Sequence, residues 1–308
     1  MRITVLGAGA MGALFGGYLS AHNDVTVVDL SEKIINAIRE TGVRIREKDG
    51  SITLRHPEAV TDASTLPEQD LVIVFVKSMF TSSALEANRN LIGENTYVMT
   101  LQNGAGHESK LLKATDRKHV IIGSTQHNSS LIEPGFVNHG GSGITSIGLL
   151  DGRSEVLSGI AENFTSCGFE CKTENNVQYQ IWHKMFTNTA ASSLTALFQV
   201  PLGFIHRDGN AGFIMKKLCR EAVTVANALG LGFDEEEVIK EVDRVCENAP
   251  EGYTSIYADI RDGRLSEVDT ISGSVVEAAN ELGLKVPYHE MLVKCIHALE
   301  DKNKENRK

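Results

Sequence analysis

Residues 1–30 read MRITVLGAGAMGALFGGYLSAHNDVTVVDL. An apolar run containing Ile3 and Val5 leads into a glycine turn (Gly7, Gly9, Gly12), an apolar helical stretch, and a second run from Val25 to Val28 that stops at Asp29. That order is strand, turn, helix, strand, with the turn spelled G-x-G-x-x-G. Gly7 lets the chain turn sharply, Gly9 lets backbone N–H groups approach a pyrophosphate, and Gly12 lets the helix pack closely on the sheet. Gly7, Ala8, Gly9, Ala10, Met11 and Gly12 are thus the expected cradle. It lies at a helix N-terminus, where unpaired N–H groups and the helix dipole favour an anion. An acidic residue about 20 residues later completes the fingerprint of a dinucleotide-binding unit. Asp29 is placed to accept hydrogen bonds from the ribose hydroxyls and to repel the extra phosphate of NADP. Leu30, Ser31 and Glu32 follow it without an arginine, and Lys33 reads equally well as a solvated helix residue. The local chemistry favours NAD(H).

The rest of the chain extends this unit. Its 308 residues suggest two domains at about 150 residues each. A formal net charge of −10 argues against a nucleic-acid partner, which needs clustered Lys and Arg. No apolar run approaches membrane-spanning length and the first strand begins at once, so neither a membrane span nor a signal peptide is expected. The five cysteines (Cys167, Cys171, Cys219, Cys246, Cys295) are scattered, with no partners at metal-site spacing. They read as reduced thiols of a cytoplasmic protein. The charge-dense tail from Lys302 to Lys308 is expected to fray.

In order after Asp29, Ser31 caps a short amphipathic helix to Glu40, ended by Gly42. Val43–Ile45 and Ile52–Leu54 read as a hairpin closed by a two-residue Asp49-Gly50 turn. LVIVFV (71–76) is a run of the kind buried on both faces of a parallel sheet, with Lys77 at its carboxyl end, where such sheets bind ligands. A surface lysine is the alternative. A helix over 84–91 and a strand over 97–101 follow, and then Asn103 before Gly104, either a ligand-binding amide or a turn residue. Further strands are expected over 119–123 and 143–149. The polar stretch 124–128 between them is placed near the site rim, with His127 a structural histidine. Beyond residue 174 the chain reads as helices: 177–198, 209–229, 234–248, 253–262, 265–282 and 287–301. The expected fold class is α/β, a Rossmann-type doubly wound parallel sheet over residues 1–174 followed by an all-helical domain over 175–308, with the active site in the cleft. The long apolar helices after residue 209 fit either a homodimer face or monomer core.

In the segment IWHKMFTNTAASSLTALF (181–198), Lys184, Asn188 and Ser192 recur every fourth residue, a polar stripe on one helix face. A lysine in a segment otherwise suited to burial is costly without an anion, which suggests a proton donor and carbonyl polariser for a keto acid. A lysine snorkelling to solvent is the plainer alternative. Ser255 offers a bond to a substrate carboxylate. Glu267, near the start of a long helix, either orients the lysine, binds the cofactor ribose, or complements the helix dipole.

GAGAMG (7–12), FVK ending at Lys77, QNG around Asn103, W-x-K-x-x-x-N at Trp182, Lys184 and Asn188, and the SxxxDxRxGRxxEVD run from Ser255 together resemble the ketopantoate reductase (2-dehydropantoate 2-reductase) family over nearly the whole chain. The resemblance implies NADPH-dependent reduction of 2-ketopantoate to (R)-pantoate, a step toward pantothenate. It implies Lys184 as proton donor, Asn188 and Ser255 on the substrate, and Lys77, Asn103 and Glu267 on the cofactor or in catalytic geometry. Ser129 would offer its backbone to the nicotinamide. Ser192 stands where family members commonly have a second substrate asparagine, and Leu202 where some have another. Asp29-Leu30 stands where an arginine usually holds the NADP phosphate. That last departure looks more like the NAD-dependent branch, D-2-hydroxyacid dehydrogenases acting on branched or aromatic keto acids in the manner of mandelate dehydrogenase. From a different class, a catalytically inactive nucleotide-binding sensor would keep the fold without turnover; retention of Lys184, Asn188, Ser255 and Glu267 argues against it.

Overall fold

The computed structural model describes residues 1–151 and 155–306. The chain forms two compact units, one of Met1–Gln102 and His107–Val177, the other of Asn103–Gly106 and the chain from Gln178 onward.

The first unit opens with β1 (Arg2–Leu6), α1 (Ala10–Leu19), β2 (Asp24–Val28) and α2 (Glu32–Thr41), then β3 (Val43–Arg46), β4 (Ile52–Arg55) and β5 (Glu58–Val60). It continues through β6 (Leu71–Val74), α3 (Thr81–Ala87), β7 (Tyr97–Thr100), α4 (Glu108–Leu111) and β8 (Val120–Thr125). It closes with β9 (Asn128–Glu133), β10 (Phe136–Gly141), β11 (Thr145–Leu149), α5 (Glu155–Ser166) and β12 (Cys171–Thr173). The main sheet has the order β12-β11-β8-β7-β6-β1-β2-β5, parallel from β8 to β5, with β11 antiparallel to β8. The chain runs outward from β1 through β2 to β5 and then crosses to β6 on the other side. This is the Rossmann-type switch point, next to the glycine turn, where open parallel sheets bind ligands. β6 is buried along its whole length, as an apolar run covered on both faces requires.

A second sheet, β4-β3-β10-β9, covers the far side of α1. The sequence reading had no counterpart for β9 and β10. Their polar residues and glycines (Asn128, Ser129, Ser130, Gly140, Gly141) hide the alternation that marks a strand. Enclosure between two sheets explains why α1 is apolar on every side: Ala13, Leu14, Phe15 and Leu19 are all buried, and the Phe15 ring stacks on Phe169 with centroids 4.0 Å apart. The β3–β4 hairpin closes at the Glu47 N–H to Ser51 carbonyl bond (2.8 Å), so Lys48, Asp49 and Gly50 form a three-residue turn instead of the expected two. Ser31 stands at the N-cap of α2 but its side chain makes no capping bond. The expected helix over 84–91 starts earlier and ends at Ala87, before a 3₁₀ turn over Arg89–Leu91.

The second unit is helical: α6 (Val177–Thr187), α7 (Ser193–Phe198), α8 (Leu202–Arg207), α9 (Gly209–Ala228), α10 (Glu235–Asn248), α11 (Ser255–Arg261), α12 (Val268–Glu281) and α13 (Pro287–Glu305). Asp208, Asp234 and Thr254 cap α9, α10 and α11 through side-chain bonds to backbone N–H groups. Trp182, Met185, Met215, Leu218, Ile271 and Leu292 belong to its core. The single helix expected over 177–198 is interrupted: Asn188–Ser192 form a π-helical turn between α6 and α7. The tail expected to fray is helical through Glu305, and its last two residues lie outside the described ones. Among the described residues no helix is long and apolar enough to cross a membrane.

A Cβ at Gly12 would run into the Gly7 carbonyl oxygen, a backbone atom that cannot rotate away. Gly12→Ala is expected to destabilise the protein by about 1–3 kcal/mol. A thermal unfolding midpoint equal to wild type would remove this packing role.

Candidate active site

Three features of the first unit fit a dinucleotide. Gly9 is the N-cap of α1, with φ −66°, no side-chain cap and no acidic residue in the first turn behind it. Neither its backbone angles nor packing demands glycine, since a Cβ built there meets nothing within 4 Å. The absent side chain leaves open the space a pyrophosphate needs at a helix N-terminus. Asp29 ends β2 and is tied to the same turn: its Oδ2 accepts from the Ala8 N–H at 2.8 Å, and its Oδ1 from the Ser31 N–H at 2.9 Å. On β9, the Ser129 hydroxyl donates to the Ala10 carbonyl at 3.0 Å. The glycine turn, Asp29 and Ser129 therefore form one hydrogen-bonded group. Lys77 is next to it. Its neighbour Val76 presses on the turn so closely that a Cβ at Gly7 would lie 2.7 Å from the Val76 nitrogen.

The remaining candidates gather in the second unit. Lys184, in the last turns of α6, donates from Nζ to Asn103 Oδ1 at 3.0 Å. Asn103, which the sequence reading placed on the cofactor or in catalytic geometry, thus meets the lysine. The Asn103–Gly106 segment is fixed in turn by the Ala105 N–H, which donates to the Thr270 carbonyl at 3.2 Å. Gly104 has φ +102°, and a Cβ there would strike that same Thr270 carbonyl. Thr270 stands one turn beyond Glu267, the N-cap of α12, whose carbonyl accepts from the Thr270 and Ile271 N–H groups, both at 3.1 Å. Burial lowers the Lys184 ammonium from 10.5 to about 8.

Asn188 and Ser192 open and close the π turn, and Ser192 Oγ lies 3.5 Å from Asn188 Oδ1. Such a turn pairs carbonyls with the N–H five residues on instead of four, a looser ladder whose carbonyls have room for further donors. Hydroxyls supply them. Ser193 donates to the Asn188 carbonyl (3.4 Å), Ser272 to the Thr189 carbonyl (3.3 Å), and Thr195 to the Ser192 carbonyl (2.7 Å). Thr254, the N-cap of α11, lies 2.9 Å from Thr195 through their hydroxyls and reaches the Ser192 carbonyl at 3.4 Å. Ser255 is the next residue, exposed at the start of α11. Asn188 and Ser192 are therefore linked through hydroxyls to Thr254, the residue before Ser255.

Sequence reasoning missed these supporting hydroxyls. The dense Ser/Thr run from Thr187 to Thr195 is the signal that was available, because such residues satisfy backbone carbonyls wherever a helix departs from α geometry. His127 is structural, as expected: its Nδ1 lies 2.9 Å from His139 Nε2, and burial lowers it to about 4. His139 Nδ1 lies 3.1 Å from Glu47 Oε2, and Tyr18 donates to Glu47 Oε1 at 2.6 Å. Among the described residues no group of His, Cys, Asp and Glu side chains is arranged to hold a metal ion.

Residues 3–152 match the family model "Ketopantoate reductase PanE/ApbA", and residues 176–300 match "Ketopantoate reductase PanE/ApbA C terminal". The chain is 32% identical to the 2-dehydropantoate 2-reductase of Halobacterium salinarum, covering 93% of this chain and 95% of that protein. It is 32% identical to the enzyme of the same name from Pyrococcus horikoshii, covering 97% and 98%. Among solved structures it is similar to D-mandelate dehydrogenase bound to NADH and anilino(oxo)acetate, with a TM-score of 0.92, 27% identity and 99% of both chains covered. It is likewise similar to a PanE/ApbA family ketopantoate reductase from Ralstonia eutropha JMP134, with a TM-score of 0.90, 28% identity, and 99% and 100% covered.

Gly9→Ala separates binding from folding. The added methyl meets no protein atom, so the unfolding midpoint should stay at its wild-type value while dinucleotide affinity falls by about tenfold or more. Unchanged affinity in fluorescence titration would mean that the open space at Gly9 does not take the pyrophosphate.

Proposed function

The chain belongs to the ketopantoate reductase family, and on that premise we propose that it reduces a 2-keto acid with a nicotinamide cofactor, 2-dehydropantoate to (R)-pantoate being the leading reaction. The observation that carries this reading is Lys184, desolvated to a pKa of about 8 and aimed at Asn103 four residues before the π turn that bears Asn188. When bound, the dinucleotide supplies a hydride to the carbonyl carbon. Gly7, Ala8, Gly9, Ala10, Met11 and Gly12 hold its pyrophosphate, Asp29 its ribose, and Lys77 and Ser129 flank the same turn. Lys184 meets the carbonyl oxygen, stabilises the negative charge that grows there, and gives it a proton. Asn103 fixes the direction of Nζ. Asn188, Ser192 and Ser255 bind the keto acid, with Glu267 setting the geometry of the lysine or the ribose.

A proton donor near pKa 8 is mostly charged at neutral pH, and its conjugate amine is a weak enough base to release the proton readily. The reduction needs the ammonium. kcat/KM for the keto acid is therefore expected to fall tenfold per pH unit above about 8, while the reverse oxidation rises through the same pH. Lys184→Ala should lose about two to four orders of magnitude in kcat with dinucleotide affinity retained. Near-wild-type turnover in that variant would take Lys184 out of the reaction.

A second reading stays within the family and rests on Asp29. Its carboxylate is anchored on the glycine turn by Ala8 and Ser31 and is followed by Leu30, 91% exposed, instead of an arginine that would meet a ribose phosphate. That arrangement supports NAD(H) and a D-2-hydroxyacid dehydrogenase of the mandelate type, as in the NADH-bound structural relative. Initial rates with 2-dehydropantoate and with benzoylformate, each under NADH and NADPH, divide the readings. Faster benzoylformate turnover with an NADH preference supports the second; fast 2-dehydropantoate turnover with NADPH removes the role given to Asp29. Dinucleotide binding without oxidation on any keto acid would point to a sensor.

A further inference from the structure

A buried histidine stands behind the π turn. His289, in the first turn of α13, has no exposed surface. Its Nδ1 lies 2.8 Å from Glu221 Oε2, and the two Glu221 oxygens also accept from the Tyr288 N–H (2.9 Å) and the His289 N–H (3.0 Å). Its Nε2 lies 2.9 Å from the Thr189 hydroxyl. A carboxylate only accepts, so the proton sits on Nδ1 and Nε2 is the acceptor for Thr189. Burial lowers the imidazole pKa and keeps the ring neutral, in agreement with that tautomer. Thr189 is itself a residue of the turn: its one hydroxyl proton goes to Nε2, and the proton of Ser272, whose Oγ is 3.2 Å from Thr189 Oγ1, goes to the Thr189 carbonyl at 3.3 Å.

We propose that His289, oriented by Glu221, is a positioning residue that acts through Thr189 to hold the π turn in the register that presents Asn188 to the keto acid. The consequence for catalysis rests on the reading above; the consequence for the turn does not. Capping α13 needs only Glu221. An apolar side chain of similar volume would fill the space of His289 without the cost of burying a polar ring, so the imidazole is explained by its second bond, to Thr189. With Nε2 unavailable, the Thr189 hydroxyl is free to donate to Ser272, 3.2 Å away, and the turn loses its tie to α13, so its register at Asn188 is no longer fixed. That change rotates the Asn188 side chain.

The test uses the full chain and three variants: Thr189→Val, which keeps the shape and removes the hydroxyl; His289→Leu; and His289→Gln, which retains a donor and an acceptor. Two readouts are taken, the kinetic constants with the keto acid and the side-chain amide resonances of Asn188 without substrate. Thr189→Val and His289→Leu are expected to raise KM for the keto acid about tenfold, with kcat changed less than about threefold and dinucleotide affinity unchanged. The Asn188 resonances should shift in both, and His289→Gln should recover most of the wild-type behaviour. A KM within about twofold of wild type in Thr189→Val, an equal loss in cofactor affinity, or unmoved Asn188 resonances overturns the proposal. If His289→Leu does not fold, Thr189→Val decides alone. If the wild-type chain reduces no keto acid, the functional reading fails while the Asn188 resonances still decide the positioning role.

Discussion

A buried carbonyl must have a donor, and in the second unit that constraint shapes everything around the candidate site. The π turn at Asn188–Ser192 moves backbone oxygens from the α-helical ladder to the looser five-residue one. Leaving one of them unpaired would cost about 1–3 kcal/mol, comparable to losing a good part of a buried side chain. The chain meets the demand with hydroxyls from three further elements: Ser193 and Thr195 on α7, Thr254 before α11, and Ser272 on α12. The elements that satisfy the turn are the elements that carry Ser255 and, on α12, follow Glu267.

In the first unit the corresponding constraint is closeness. The glycine turn is pressed between Val76, the start of α1 and the Ala8–Asp29 bond, and the positions that admit no Cβ are distinct from the one that leaves space. Gly7 and Gly12 are glycine for the protein's own packing; Gly9 is glycine for something the protein does not itself fill. The same G-x-G-x-x-G spelling therefore contains two different requirements, and only the surroundings of each residue tell them apart. Asp29 likewise belongs to the turn, its carboxylate accepting from Ala8 and Ser31.

Much of this was legible in the sequence because it depends on local chemistry. The βαβ start, the buried run at Leu71–Val74 and the change to helices in the last part of the chain follow from periodicity and from short spacings, and the family from the resemblance of its motifs. Less was legible where residues act at a distance or against their usual preference. β9 and β10 are strands because α1 needs a cover on its second side, although their own composition is turn-like. Ser31 looks like a cap and makes no capping bond, and the Asp49-Gly50 pair looks like a two-residue turn but sits in a three-residue one.

The stripe of Lys184, Asn188 and Ser192 shows where the division falls. Sequence alone determined that these residues lie on one helical segment and that a lysine there is unusual, because these follow from residue type and spacing of four. Only the tertiary structure decided that the segment is broken by a π turn, that Asn103 arrives from 81 positions away to take the lysine, and that His289 stands 100 positions from the Thr189 it holds. A helical period describes neighbours within a turn. The partners of a buried polar group are fixed by which distant segments the packed core brings within 3 Å or so of it, and no local pattern records that distance.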